Sequence, residues 1–383
     1  MRTSLYFYTA DFAQYDFGDH HPFSPQRQKA TDSLIRHLGL IERAEVRSDI
    51  VPVSREILEL VHAPAYIDIV KQASRTGISP NPTAGLSTAD TPAFVNMHRA
   101  AAIRVAATVE AVKAVAKGQC EHAVNIGGGL HHALRAKAAG FCVYNDAAVA
   151  IAYARQHLGW RVAYIDIDAH HGDGVQWSFY DDPNVLTVSI HETGRTLFPG
   201  TGDITELGSG AGYGTSINIP LEPGTRDESW WACFERIVPA VVRAFKPDVI
   251  ISQHGVDAHY LDPLSHLEVT TASLNAAAQR IHELAHELCE GRWIALGGGG
   301  YATYHVVPRA WAALWAIASH RDIPKDIPES WRLEWQKKAE SPLPSTMEDE
   351  TRLPENPAVA ETNFATVAEL ERLLSPLLQH GGA

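Results

Sequence analysis

The sequence predicts an α/β protein of three layers, with a mainly parallel central sheet between two layers of helices. Three observations predict this fold: short apolar segments alternate with helix-length amphipathic segments, the apolar segments are nonpolar on both faces, and glycine follows several predicted helices. Strands that are apolar on both faces are typical of parallel sheets covered on both sides. Glycine is the preferred residue just beyond a helix C-terminus.

Six segments are predicted to be strands and four to be helices. The predicted strands are residues 4–8, 122–126, 161–167, 185–190, 248–253 and 293–296. The predicted helices are residues 99–117, 146–157, 228–245 and 273–290. Two segments rich in proline and polar residues, 19–25 and 77–92, are expected to be long loops with a function.

Length, charge and cysteine content narrow the class of protein. The chain has 383 residues and a formal net charge of −13 without a basic segment, which argues against nucleic-acid binding. No apolar segment is long enough to cross a bilayer, and residues 1–17 are interpreted as the start of the sheet and not as a signal peptide. The four cysteines are widely spaced and expected to be reduced, so the sequence predicts a cytoplasmic protein without membrane attachment.

Polar side chains follow four of the predicted strands, and ligands of such sheets bind outside the carboxyl ends of the strands. One strand leads into Asp166, Asp168 and His170, which project to one side if the chain stays extended. Two carboxylates and an imidazole on one side indicate a metal site, since a cation offsets the cost of burying carboxylates. Asp257, after another strand, is a candidate third ligand, although alone it would more often cap a helix.

Glycine runs follow two other predicted strands, residues 122–126 and 293–296. Residues 127–129 are glycines and precede the adjacent pair His131 and His132, which suits proton transfer, whereas a single histidine is usually structural. Residues 297–300 are also glycines and lead to Tyr301, whose phenol could face a pocket. Alone, Tyr301 would be interpreted as a core residue with a satisfied hydroxyl.

Taken in order, these motifs resemble the histone deacetylase family of the arginase/deacetylase superfold, and most closely its bacterial acetoin-utilisation deacetylases. The resemblance extends from HHPFSPQR at 20–27 to LGGGGYATYHVVPRAW at 296–311, and little is visible after about residue 320. The motifs between them are GGGLHHA at 127–133, GFCVYND at 140–146, YIDIDAHHGDG at 164–174, FPGTGD at 198–203 and QHGVDAHYLDPL at 253–264.

The resemblance implies an arginase/deacetylase-like fold and a zinc-dependent enzyme that hydrolyses the amide of acetylated lysine with an activated water. It implies Asp168, His170 and Asp257 as the ligands of one zinc ion, with an open position for water and substrate. It also implies that the Tyr301 hydroxyl donates to the developing oxyanion.

The histidine pair is expected to handle protons. By the resemblance, His132 is the general base that activates the water and then protonates the leaving amine, with Asp173 orienting its ring. His131, paired with Asp166, is expected to give electrostatic support.

The resemblance further implies a narrow tunnel for the acyl-lysine side chain. The residues that match its walls are Gly140, Phe141, Phe198 and Leu264. Asp90 matches a rim carboxylate that binds substrate amides, and Arg27 matches an inner cavity that releases acetate. Without the resemblance, the aromatic residues would be interpreted as core packing and Asp90 as a turn cap.

One or two potassium sites are implied as well. The ligands of the first are the side chains of Asp166 and Ser189 and the carbonyls of Asp168, His170 and Ile190. The ligands of the second are the carbonyls of Phe179, Asp182, Val185 and Thr215. At this second site Thr215 stands where an aromatic residue is common.

The chain is interpreted as one deacetylase domain followed by a C-terminal extension. The domain is expected to span residues 1–340. Residues 341–357 are polar and rich in proline and predict a linker, and a short amphipathic helix is expected near 365–378. The whole extension, 341–383, is expected to pack on the domain or to trail behind it.

Three alternatives stay open. A binuclear manganese ureohydrolase of the same superfold is disfavoured because Asp257-Ala258-His259 supplies one carboxylate only. An acetylpolyamine or other small acylated amine is an alternative substrate to an acetylated protein; the apolar Leu264 argues mildly against it, and Glu268 nearby argues for it. A non-catalytic acyl-lysine-binding protein is disfavoured because every implied ligand, histidine and tyrosine is present.

Overall fold

The structure is a computed structural model that describes residues 4–380, and at its centre lies one eight-stranded sheet. The strands are β1 (Ser4–Phe7), β2 (Val46–Arg47), β3 (His122–Asn125), β4 (Val162–Asp166), β5 (Val185–Glu192), β6 (Ser216–Leu221), β7 (Val249–Gln253) and β8 (Trp293–Leu296). Their order in the sheet is β2-β1-β3-β8-β7-β4-β5-β6. Each pairing between these strands is parallel, so the expected fold class is confirmed.

Helices cover both faces of the sheet. They are α1 (Gln26–His37), α2 (Arg55–Leu58), α3 (Pro64–Thr76), α4 (Met97–Ala116), α5 (Asp146–Leu158), α6 (Asp173–Ser178), α7 (Asp227–Phe245), α8 (Thr271–Leu288), α9 (Val307–Ala318), α10 (Glu329–Trp335) and α11 (Pro357–His380). The apolar residues of α2 to α6 form one hydrophobic core and those of α1 and α7 to α11 form the other.

The strands supply both cores because their side chains alternate between the two faces. In β8, Trp293 and Ala295 belong to one core, whereas Ile294 and Leu296 belong to the other. All four side chains are fully buried. This is why the central strands carry apolar residues on both faces and can be recognised in the sequence.

The six predicted strands and four predicted helices are all present, and no end differs from the prediction by more than two residues. The prediction was incomplete at the two edges of the sheet, where β2 and β6 lie. β2 has two residues and carries no recognisable pattern. β6 contains Pro220, which lowers the strand propensity of a segment and is tolerated mainly at an edge.

The C-terminal helix α11 is longer than the predicted segment 365–378 and packs against α7 and β6. One stripe of the helix is buried and includes Val367, Leu370 and Leu374. Asn363 in the same stripe accepts a hydrogen bond from the Glu222 amide at 2.9 Å. The helix therefore covers the edge of the sheet at β6.

Residues before α11 also contact the body of the protein. Asp349, in the segment predicted to be a linker, accepts from the Thr271 hydroxyl at 2.8 Å and from Arg309 at 2.8 Å. The His259 Nε2 atom lies 2.8 Å from Asp349 Oδ2, the oxygen that also accepts from Thr271. The domain boundary at residue 340 stays a prediction.

Two further expectations concern membrane-spanning helices and the state of the cysteines. Among the helices of residues 4–380, none combines the length and the apolar character needed to span a bilayer. The four cysteines are free thiols, and each is buried.

We expect Leu370→Ala to lower the free energy of unfolding by about 2 to 5 kcal/mol, because it leaves a cavity under α11. Leu370 is fully buried, whereas Glu361 on the same helix is exposed. Glu361→Ala is therefore the control and should change stability by less than about 0.5 kcal/mol. Urea unfolding measures both; equal effects of the two substitutions would contradict the packing of α11.

Candidate metal centre and catalytic pocket

The carboxyl ends of four adjacent strands bring the predicted site residues together. β3, β8, β7 and β4 are neighbours in the sheet. The segments that follow them carry, in that order, His131, Tyr301, Asp257 and Asp168. Residues that are far apart in the sequence thus meet at one edge of the sheet.

Asp168, His170 and Asp257 form a compact cluster. The His170 Nδ1 atom lies 3.0 Å from Asp257 Oδ2 and 3.2 Å from Asp168 Oδ1, and the three candidate ligand atoms lie within 4.8 Å of one another. Both aspartates are at most 1% exposed, and His170 is 9% exposed. Carboxylate oxygens and an imidazole nitrogen in this arrangement are the donors that a transition metal binds.

Two glycines allow neighbouring loops to approach this cluster. An ideal Cβ on Gly255 would lie 2.1 Å from Asp168 Oδ2, and one on Gly299 would lie 2.0 Å from Asp257 Oδ2. A side chain at either position would displace a carboxylate, so the close approach requires glycine. The glycine run at 297–300 therefore shapes the cluster as well as presenting Tyr301.

Hydrogen bonds from outside the cluster hold both carboxylates. Gln253 Nε2 and the Gly299 amide donate to Asp168 Oδ2 at 2.6 and 2.7 Å, and the Ala169 amide donates to Asp257 Oδ1 at 2.8 Å. Such outer contacts orient the ligands of a metal. Gln253 had no role in the sequence interpretation, although a polar amide at the end of an apolar strand was a signal.

The electrostatics of the cluster favour a cation. Burial and then the neighbouring Asp168 raise the pKa of Asp257 to about 6, against the opposite effect of His170. Two buried carboxylates this close disfavour each other's ionised form. A positive ion between them removes that repulsion and compensates both charges.

His131 and His132 lie beside the cluster, and a different aspartate contacts each. His131 Nδ1 lies 2.7 Å from Asp166 Oδ2, and His132 Nδ1 lies 2.7 Å from Asp173 Oδ1. The two Nε2 atoms are 3.0 Å apart, and His131 Nε2 is 3.9 Å from Asp168 Oδ1. His131 Nε2 therefore lies beside the candidate metal centre, and His132 Nε2 is next to it.

The two histidines have opposite pKa shifts. Burial alone would lower the pKa of His131, but Asp166 and then Asp168 outweigh it and raise this pKa to about 9. Burial and the charge of His131 lower the pKa of His132 to about 4, in spite of Asp173. At neutral pH the pair then consists of a charged His131 and a neutral His132, and the neutral imidazole is the form that accepts a proton.

Asp146 fixes the loop that carries both histidines. Its carboxylate accepts hydrogen bonds from the Thr108 hydroxyl at 2.6 Å, the Leu130 amide at 2.8 Å and the Gly129 amide at 3.1 Å. The side chain is fully buried. In the sequence it is an acidic residue in the first turn of a helix, which is common everywhere, so its role was not predicted.

Tyr301 lines the same small pocket as His131, His132 and Asp168. Asp262 fixes its backbone, because Asp262 Oδ2 accepts a hydrogen bond from the Tyr301 amide at 2.6 Å. Asp262 belongs to the motif QHGVDAHYLDPL at 253–264, but no role was predicted for it.

Arg27 lies on the inner side of this loop. Its Nη1 atom donates to the carbonyls of Gly298 and Gly300 at 3.0 and 2.9 Å. The guanidinium carbon lies 5.6 Å from the centre of the Tyr301 ring. The side chain is 1% exposed, so Arg27 is buried against the glycine loop that leads to Tyr301, and its role at an inner cavity stays a prediction.

Three of the predicted wall residues surround the pocket. The Phe141 ring meets the Tyr301 ring edge-on at 5.7 Å, and the Phe198 ring meets the His132 ring edge-on at 5.0 Å. An ideal Cβ on Gly140 would lie 2.2 Å from His132 Cδ2. Phe198 is 46% exposed, which places it at the outer end.

The two loops predicted from composition meet beside Gly140, which lines the pocket. Asp90 Oδ2 accepts a hydrogen bond from the Gly140 amide at 2.9 Å, and its carbonyl oxygen lies 3.1 Å from His21 Nε2. His21, which the sequence interpretation did not single out, also packs against Phe141 at 4.6 Å. Leu264, the remaining predicted wall residue, is linked to the site through its amide, which donates to Asp262 at 3.0 Å.

Asp166 and Ser189, predicted ligands of the first potassium ion, lie opposite each other in β4 and β5. Asp166 already accepts hydrogen bonds from the Tyr164 hydroxyl at 2.7 Å and the Asp168 amide at 3.1 Å. Gly172 separates the two side chains: its amide lies 3.4 Å from Ser189 Oγ, and an ideal Cβ would lie 2.4 Å from Asp166 Oδ2. The site itself stays a prediction.

The residues predicted for the second potassium ion come from one turn and a neighbouring strand end. The Asp182 amide donates to the Phe179 carbonyl at 3.0 Å, and the Val185 amide donates to the Asp182 carbonyl at 3.3 Å. The Thr215 hydroxyl lies 3.5 Å from the same Asp182 carbonyl. The structure brings these residues together, and the ion site stays a prediction.

Comparison with known proteins identifies the family to which this chain is similar. The family model for the histone deacetylase domain matches residues 21–318. The chain is 46% identical over 375 residues to the acetoin utilization protein AcuC of Bacillus subtilis (strain 168), covering 96% of this chain and 97% of that one. It is 40% identical over 371 residues to AcuC of Staphylococcus xylosus, covering 95% and 96%.

Solved structures of histone deacetylase homologues are also similar to this chain. The crystal structure of a histone deacetylase (HDAC) homologue from Aquifex aeolicus matches with a TM-score of 0.87 and 28% identity, covering 97% of this chain and 100% of that one. The structure of an HDAC homologue complexed with SAHA matches with a TM-score of 0.85 and the same identity and coverage. Fold, motifs and relatives agree, and the chain belongs to the histone deacetylase family.

Proposed function

We propose that this family member is a zinc-dependent deacylase that hydrolyses the amide of acetylated lysine. The observation that carries the proposal is the three-residue cluster of Asp168, His170 and Asp257 beside a neutral His132 and the Tyr301 pocket. A ligand set, a proton acceptor and a hydroxyl donor thus converge on one small space, which is the combination that metal-assisted amide hydrolysis needs.

The donor set fits zinc. Two carboxylates and one imidazole are three protein ligands, and a catalytic zinc site keeps its fourth position open. When bound there, zinc would polarise the substrate carbonyl and lower the pKa of a water molecule. Gln253 and the Gly299 amide both donate to Asp168 and so orient that ligand.

His132 is the proton carrier in this proposal. It is neutral at pH 7, so it can take a proton from the attacking water, and Asp173 at 2.7 Å stabilises the cation that results. The same proton then goes to the leaving amine, which converts a poor leaving group into a neutral one. His131 is already protonated and paired with Asp166, so it contributes positive charge near the developing oxyanion.

Tyr301 supplies the oxyanion contact. Burial, followed by Asp257 and Asp168, holds the pKa of Tyr301 well above its ordinary value, so the phenol keeps its proton and remains a hydrogen-bond donor. A donor aimed at the atom where charge develops is usually a large contribution to catalysis.

The shape of the pocket mouth supports a lysine side chain. Phe141 and Phe198 offer aromatic walls to an aliphatic chain, and the Asp90 carboxylate at the rim suits the backbone amides of a peptide. The acidic residue that left a polyamine substrate open, Glu268, instead accepts a hydrogen bond from Arg226 at 2.7 Å. This pairing removes the main argument for a cationic polyamine.

Potassium is part of the proposal as a structural ion. The first site would use Asp166 and Ser189 with the carbonyls of Asp168, His170 and Ile190, since oxygen-rich shells suit this cation. Occupation would stiffen the strand ends that carry the zinc ligands.

We expect Tyr301→Phe to lower kcat/KM for an acetyl-lysine peptide about 100- to 1,000-fold, because one oxyanion donor is removed. Zinc content should not change, since the phenol is not among the ligands. Elemental analysis and a peptide deacetylation assay measure the two quantities. Full activity of this variant would contradict the assigned role.

We expect Asp257→Ala to abolish turnover and to remove one zinc ion per chain, because two ligands do not form a stable cage. Asp322, an exposed aspartate far along the sequence, offers a matched control, and Asp322→Ala should keep both properties. A chelator should inactivate the unsubstituted protein, and added zinc should restore it. Turnover that survives Asp257→Ala would refute the metal centre.

We expect kcat/KM for acetyl-lysine peptides to exceed that for acetylated putrescine about tenfold or more, because an apolar wall and a peptide-binding rim discriminate against a cationic chain. Parallel assays with Tyr301→Phe show whether both activities come from this pocket. The reverse preference would select the polyamine alternative.

A further inference from the structure

Four histidines meet at the edge of the sheet opposite the catalytic pocket. They are His122, His282, His286 and His320, named here the histidine cluster, and their candidate ligand nitrogens lie within 4.8 Å of one another. His122 is the first residue of β3, whereas the catalytic loop follows the last residue of that strand. The cluster is therefore separate from the residues of the proposed deacetylase site.

The rings are grouped around one point. The centre of the His122 ring lies 4.7, 4.9 and 4.8 Å from the rings of His282, His286 and His320. The Nε2 atoms of His282 and His286 are 3.1 Å apart. Simple packing of histidines in a core does not require four rings to share one centre.

His122 presents a lone pair to this group. Its Nδ1 atom donates to the Ala318 carbonyl at 2.8 Å, which fixes the tautomer with the proton on Nδ1. The other ring nitrogen, Nε2, is buried and has no hydrogen-bond partner. A backbone acceptor on one nitrogen and a free lone pair on the other are typical of a metal-bound histidine.

The surroundings attract a cation. His282 and His286 lie in the last two turns of α8, and His320 follows the C-terminus of α9, where the partial charge of a helix is negative. The Glu121 carboxylate is close by, since an ideal Cβ on Gly291 would lie 3.1 Å from His286 Nδ1 and 3.3 Å from Glu121 Oε2.

His320 has a backbone conformation that favours glycine. Its φ is +56°, in the left-handed region at the end of α9. A histidine in this conformation strains the backbone, but its side chain belongs to the cluster. It is also exposed, so the cluster is open to solvent and an ion can enter.

We propose that the histidine cluster is a second metal site, which binds a divalent transition metal such as Zn²⁺ with four imidazole ligands. Imidazole suits zinc, copper and nickel, whereas calcium and magnesium prefer oxygen ligands. Four protein ligands leave no open position, so the site is structural and not catalytic. It ties the start of β3 to the ends of α8 and α9.

The sequence around two of these ligands is HELAH, at 282–286. Two histidines four residues apart lie on one face of a helix, as in the HExxH zinc motif of metalloproteases. The intervening Glu283 does not serve as a base here, since it is exposed and its carboxylate lies 3.3 Å from Arg280 Nη1. The motif thus binds metal in this proposal without forming a protease.

Metal content of the full, tag-free chain tests the proposal. The protein is stripped with a chelator, loaded with excess Zn²⁺ and desalted, and zinc is measured by mass spectrometry. We expect two zinc ions per chain in the unsubstituted protein and one in the double variant His286→Ala/His320→Gly. Glycine accepts the backbone of residue 320 without strain. Glu283→Gln is the matched control and should retain two.

Asp257→Ala separates this site from the deacetylase centre. That variant should retain one zinc ion, held by the histidine cluster, and the double variant should retain deacetylase activity. Cobalt loading adds a spectroscopic readout: the bands of tetrahedral Co²⁺ with nitrogen ligands should appear in Asp257→Ala and be absent from the double variant. Equal metal content of the unsubstituted protein and the double variant, or no zinc in Asp257→Ala, would overturn the proposal.

Discussion

The structure depends on two buried carboxylates that lie within one small cluster. Asp168 and Asp257 follow different strands, and each is withdrawn from water, so their mutual repulsion has to be compensated. His170 and the donated hydrogen bonds of Gln253 and two backbone amides supply part of that compensation. The parallel sheet makes the arrangement possible because it gathers the ends of all its strands at one edge. The glycines of the neighbouring loops make it tight, since side chains there would occupy the space of the carboxylate oxygens.

Most of the sheet could be predicted from sequence, and the reason is burial. Interior strands such as β4 and β8 face a hydrophobic core on both sides, so their apolar runs stand out. The edge strands β2 and β6 were not predicted, because β2 is very short and β6 contains Pro220. Helix α9 was not predicted for a different reason. All twelve of its residues are buried, so it lacks the polar face by which amphipathic helices are recognised.

The candidate site could be predicted where chemistry is concentrated in short motifs. Histidine pairs, glycine runs and DxD-type spacing are rare enough to be noticed. Asp146 and Asp262 could not be found in this way, because each acts through backbone amides of a loop that is distant in sequence. Their partners are specified by the tertiary fold and not by local pattern. His282 and His286 are an intermediate case, since their spacing is visible in the sequence but the two other histidines of the cluster are not adjacent.

The position of Asp349 bears on where this chain can be shortened. The match to the family model ends at residue 318, which suggests a natural end for an excised domain. Such a fragment would lack the acceptor for Arg309, which is 2% exposed, and for the fully buried His259, two residues beyond a zinc-ligand candidate. A buried guanidinium that loses its carboxylate partner is costly, even though Arg309 keeps its hydrogen bond to the His305 carbonyl. A fragment that ends at the family boundary would therefore lose buried contacts made by Asp349, and it would also lose α11, which packs against α7 and β6.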